Sequence, residues 1–89
     1  MSPLQEVRQA LGLSLRDMAM ALGLDYVTWY RAELHSNSVP RKAREALREL
    51  GFDPEEVSRR QGAWVEDRAR RLRQELRGRV NIASGEAVV

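Results

Sequence analysis

Arginine dominates the side chains of this sequence that could do chemistry. Fourteen of its fifteen basic residues are arginine, and Lys42 is the single lysine. Eight arginines fall within residues 59–79 (Arg59, Arg60, Arg68, Arg70, Arg71, Arg73, Arg77 and Arg79) against Glu66, Asp67 and Glu75, a local excess of five. A guanidinium stays charged and forks onto phosphate or carboxylate oxygens. Such an excess therefore suits a polyanionic partner, and it equally suits a solvated helix face. His35 is the only histidine and there is no cysteine, so neither a metal site nor a disulfide framework is expected. The sequence offers no Ser-His-Asp set, no glycine-rich phosphate loop and no carboxylate pair in a buried pattern, and it does not read as an enzyme or as a cofactor carrier.

With 89 residues the chain has room for one small domain. The lack of cysteine suits a reducing cytosol. No apolar run approaches the ~20 residues of a membrane span. Met1 to Ala10 has neither the basic start nor the apolar core of a signal peptide. A soluble cytoplasmic protein without membrane contact is expected.

The elements that must position these side chains read as helices throughout, an all-α five-helix domain. Leu4, Val7 and Leu11 recur at helical spacing, with Pro3 near the start and Gly12 at the end. Ser14 suits an N-cap, with Asp17 three residues on as in a capping box, and Met18, Ala19 and Leu22 form the inner face of a second helix. Gly23 supplies a left-handed stop. Asp25 caps a third helix running to about Leu34, with Trp29 and Ala32 inward. His35 to Pro40 reads as a loop. A fourth helix from about Arg41 turns Ala43, Ala46, Leu47 and Leu50 inward and stops at Gly51. Asp53-Pro54-Glu55-Glu56 then opens a fifth helix that could reach Arg77, with Gly62 as a break or kink.

Two helices joined by a tight glycine turn, the second opening on a polar cap, form a helix-turn-helix pattern. The details extend this pattern: Arg8, then Ser14-Leu15-Arg16-Asp17-Met18-Ala19, then Gly23-Leu24-Asp25, then Trp29 and Glu33, then Pro40-Arg41. Over residues 4–50 the chain resembles, without a gap, the DNA-binding domains of the lambdoid phage repressor and Cro family. Two positions depart from that family. Leu15 stands where a glutamine is frequent, and Leu34-His35 replace a frequent glycine.

The resemblance implies sequence-specific binding of double-stranded DNA by a small phage or bacterial transcription regulator, expected to be a repressor. It places Tyr26, Val27 and Arg31 against base edges in the major groove, with Thr28 and Tyr30 beside them near the backbone. Arginine can pair bidentately with guanine, valine can touch a thymine methyl, and tyrosine hydroxyls suit phosphate. Plain surface packing is the other reading of the two tyrosines. Arg16, Arg41 and Lys42 are the candidate phosphate clamps, and Ser14 either joins them or only caps its helix. His35 is expected beside the DNA backbone. Arg8 and Glu33 resemble the family's ion pair between the first helix and the end of the third.

Three segments are thus expected: a DNA-binding domain over 1–52, a C-terminal helix over 53–77, and a tail over 78–89 that is flexible or a short hairpin. Val65, Ala69, Leu72 and Leu76 follow the four-three-four spacing of a short coiled coil. Together with Trp64 they are expected to make a homodimer, since one helix-turn-helix reads only a few base pairs. The alternatives are a helix that folds back on its own domain, and an antitoxin or accessory protein whose C-terminal segment holds a protein partner.

Overall fold

The structure is a computed structural model that describes residues 1–88, with side chains through residue 80. It contains five α-helices, with no strand among the described residues: α1 (Pro3–Ala10), α2 (Leu15–Leu22), α3 (Tyr26–His35), α4 (Arg44–Glu49) and α5 (Pro54–Val88). A 3-10 turn, Arg41–Ala43, precedes α4. It takes the place of the expected first turn of the fourth helix.

Three helix ends are built the same way. Gly12, Gly23 and Gly51 adopt φ of 69°, 71° and 93°, where a side chain would be strained. The next residue then donates back five positions: Leu13 to the Arg8 carbonyl at 3.2 Å, Leu24 to Ala19 at 2.8 Å and Phe52 to Leu47 at 3.0 Å. Each of these residues is apolar and half-buried against the core, so one turn both satisfies orphan carbonyls and redirects the chain inward. The helix starts differ more. Ser14 accepts from the Asp17 amide at 3.1 Å. Asp25 holds the N-cap position of α3 without a side-chain cap bond. A full capping box lies at α1, where Ser2 and Gln5 satisfy each other's amides.

Leu4, Val7, Met18, Ala19, Leu22, Trp29, Ala32, Val39, Ala43 and Leu47 form one core, closed by Val57 of α5. Leu50, expected inward, is 47% exposed because α4 ends at Glu49 before another turn can bring it round. The first half of α5 belongs to the same packed unit as residues 1–52, so the expected boundary at 52/53 does not separate two bodies. Gln61 is fully buried. Its Oε1 accepts from the Leu4 amide at 3.2 Å, and its Nε2 donates to the Ala32 and Glu33 carbonyls, both at 3.2 Å. One amide side chain thus joins α1, α3 and α5. Ser58 Oγ receives the Val39 amide at 2.9 Å, fixing the loop before Pro40.

Gly62 does not break or kink α5. A Cβ there would lie 2.9 Å from the Asn37 carbonyl oxygen, so the glycine lets the helix backbone approach the loop closely. The Arg59 guanidinium, hydrogen-bonded to Glu56, holds that carboxyl below its usual range in the first turns of α5. Beyond Ala69 the described side chains of α5 are all exposed, and the helix carries the molecule to 60 Å in its longest dimension. The tail, expected as flexible or a hairpin from 78, is instead continuous with α5 to Val88. Its side chains after Val80 lie outside the described residues.

Candidate nucleic-acid interface

α3 has two opposed faces. Trp29, Ala32 and Glu33 are buried, while Tyr26, Val27, Thr28, Tyr30 and Arg31 are exposed. Helical periodicity explains the division: 29, 32 and 33 share one stripe, and 26, 27, 30 and 31 share the other. Tyr26, Val27 and Tyr30 are large apolar or aromatic groups, yet 40–50% of their surface stays in solvent. The Tyr26 and Tyr30 rings stack at 6.3 Å with 17° between planes. Arg16 of α2 lies over the Tyr26 ring, 4.9 Å from its centroid. The stack and the cation–π contact hold these three side chains in order on the outer surface of α2 and α3.

The pose of α3 is fixed from behind. Arg8 Nε donates to Glu33 Oε2 at 2.7 Å, Nη2 to Oε1 at 3.2 Å, and Nη1 to the Leu13 carbonyl at 3.1 Å. Glu33 is 2% exposed and Arg8 16%, so this is a bidentate pair largely removed from water. Gln61 binds the carbonyls of Ala32 and Glu33 beside it. The carboxyl-terminal half of α3 is therefore tied to α1 and α5 at once.

Arg41 and Lys42 sit exposed on the 3-10 turn after Pro40. With Gly23, Asp25 and Thr28 they border a cleft at the amino-terminal end of α3. Arg31, Thr28 and His35 border a second hollow alongside it. The structure thus brings Thr28 together with Arg41 and Lys42, and Arg31 together with His35, around one end and one side of the same helix. Ser14 lies exposed at the start of α2. Its oxygen accepts the cap bond from Asp17, which leaves the hydroxyl proton free to donate, so capping and a phosphate contact are compatible.

The residues expected to dimerise divide into two groups. Trp64 is half-buried, with the Arg68 guanidinium 5.5 Å from its ring centroid. Val65 and Ala69 are half-buried and border a groove with Leu34, His35 and Leu72. Leu72 and Leu76 stand 48% and 53% exposed on the projecting part of α5. Among the described residues no three metal-binding side chains converge, and no helix is long and apolar enough to cross a membrane.

The sequence reading missed Gln61 and the tyrosine stack. A glutamine between arginines and glycine carries no signal of burial, because its partners lie 28 to 57 positions away. The stack had a signal, the four-residue spacing of Tyr26 and Tyr30 on a helix.

Comparison of the chain with protein-family models, with curated proteins and with solved structures finds no match.

Proposed function

We propose that the protein binds double-stranded DNA with sequence specificity by laying α3 in the major groove, and that it acts in the cytoplasm as a small transcription regulator. The observation that carries this reading is the outer face of α3. It leaves Tyr26, Val27, Tyr30 and Arg31 in solvent while the opposite face is locked by Trp29 and the Arg8–Glu33 pair. Stability alone gives no reason to expose two tyrosines and a valine on a helix so firmly held.

In this reading Arg31 pairs with a guanine edge, Val27 touches a thymine methyl and Tyr26 meets a neighbouring base. Thr28 and Tyr30 reach the adjoining backbone. Arg16, Arg41, Lys42 and the Ser14 hydroxyl bind phosphates on either side and set the register. Repression by occupying an operator is the simplest regulation such binding allows.

Binding of a labelled duplex by fluorescence anisotropy across a salt series tests the electrostatic part. Three basic phosphate contacts per copy predict a slope of log K against log salt of about −3 for each copy bound. A slope near zero contradicts the proposal. A second reading, an antitoxin or accessory protein, is favoured by the exposed Leu72, Leu76 and Val80 on α5. A stoichiometric protein partner that stays bound through purification, with no DNA affinity in the complex or alone, would select it.

A further inference from the structure

We infer that α5 pairs with α5 of a second copy as an antiparallel coiled coil whose two-fold axis falls between residues 70 and 71. The first observation is a seam that its own domain covers up to Gly62, half-covers at Val65 and Ala69, and leaves open at Leu72 and Leu76. Val65, Ala69, Leu72 and Leu76 occupy the d, a, d and a positions of a heptad. Val65 and Ala69 border a groove of about 190 Å³ with Leu34 and His35. Leu72 borders the same groove from its open side, and Leu76 faces solvent one turn beyond it.

Antiparallel pairing sets a against d, so the seam residues meet in one register: Val65 with Leu76 and Ala69 with Leu72, each twice. Leu76 of the second copy then enters the groove beside Val65 and Leu34. Parallel pairing would instead stack the two small residues, Ala69 on Ala69, and leave the groove unfilled.

The flanking charges choose the same arrangement independently. The e positions are Glu66 and Arg73, and the g positions are Arg68 and Glu75. Antiparallel helices bring e against e and g against g. In the register fixed by the seam, Glu66 meets Arg73 of the second copy and Arg68 meets Glu75, giving four opposite-charge pairs across the dimer. A parallel dimer brings g against the next e, which sets Arg68 against Arg73 twice and pairs no opposite charges. Like charges at such positions select against an orientation.

The spacing that results has a use, which rests on the DNA-binding reading above. The domain grips α5 through Val57 and Gln61. Reflected through an axis at 70.5, these anchors lie 27 and 19 residues from their mates, or about 40 and 29 Å at the helical rise. These separations of the anchors along α5 are of the same order as the ~34 Å between half-sites one DNA turn apart.

The mass in solution without DNA tests the pairing apart from the DNA reading. Light scattering of the wild-type chain at micromolar concentration is expected to give twice the monomer mass. Leu72→Glu and Leu76→Glu are each expected to give the monomer mass with unchanged helicity. Orientation is read from the cysteine-free background. A mixture of Val65→Cys and Leu76→Cys chains should form the mixed disulfide, and neither variant alone should cross-link. Arg73→Glu should weaken the dimer at least tenfold, and adding Glu66→Arg should restore it. A wild-type monomer, self-cross-linking of either single-cysteine variant, or failure of the charge reversal to restore pairing would overturn the inference. Arg31→Ala should remain dimeric, so loss of DNA binding and loss of pairing are separate outcomes.

Discussion

Replacing Arg8 with methionine tests how α3 is held against the rest of the domain. The change removes three hydrogen bonds, two to Glu33 and one to the Leu13 carbonyl. It leaves the Glu33 carboxylate, 2% exposed, buried without its cation. Breaking one side of a buried pair costs about 3–5 kcal/mol, because the remaining charge is uncompensated. A chain of this length has a total stability of roughly 4–13 kcal/mol at about 0.05–0.15 kcal/mol per residue, so Arg8→Met should lose a large share of it. The double variant Arg8→Met/Glu33→Leu removes the orphaned charge as well. It should recover most of the loss, short of about 1 kcal/mol for the Leu13 carbonyl. Urea unfolding followed by helical circular dichroism measures both, the single variant moving the midpoint by on the order of 2 M given usual urea slopes. A single variant within about 0.5 kcal/mol of wild type, the scatter of surface substitutions, would refute the reasoning. So would a double variant as unstable as the single.

Three further outcomes follow from the packing and the proposed interface. Trp29→Ala should cost ~3–5 kcal/mol, as for any large aromatic removed from a closed core, and a thermal melt near wild type would mean that Trp29 is not the plug it is taken for. Gly62→Ala should destabilise the fold, because the added Cβ meets the Asn37 carbonyl oxygen at 2.9 Å; chemical denaturation showing a gain, as expected of an unconstrained helical glycine, would contradict the close approach. Arg31→Ala should cost ~1–3 kcal/mol on the preferred duplex and relax preference at one base pair, whereas Arg16→Ala should weaken all sequences alike; competition binding with single-base variants separates the two.

The parts of the fold that local chemistry dictates were legible in the sequence. Gly12, Gly23 and Gly51 mark their helix ends because a left-handed residue followed by an apolar one is a local device. Ser14 marks the start of α2 for the same reason. The two faces of α3 follow from spacing alone. What could not be read depends on which distant segments meet. Gln61 is buried only because α1 and α3 converge on it, and Gly62 matters only because Asn37 lies against it. The 52/53 boundary looked real because Asp53-Pro54 is a strong local helix start, although the helix it opens completes the core of the preceding domain. The hairpin at 78–89 rested on two short apolar runs around Ser-Gly, and helix continuity from Pro54 prevails over them. The candidate site residues were assigned through the resemblance to repressor and Cro domains, not from local chemistry. The order that the tyrosine stack and Arg16 impose on them came from the structure.

Selection of bound duplexes from a random pool by the full-length chain, followed by sequencing, tests the central claim most directly. The enriched sequences should contain an inverted repeat whose half-sites are centred about one helical turn apart, ~10–10.5 base pairs, with a guanine preference that Arg31→Ala erases. A pool that stays random through repeated rounds at low salt, with the protein folded, would contradict it.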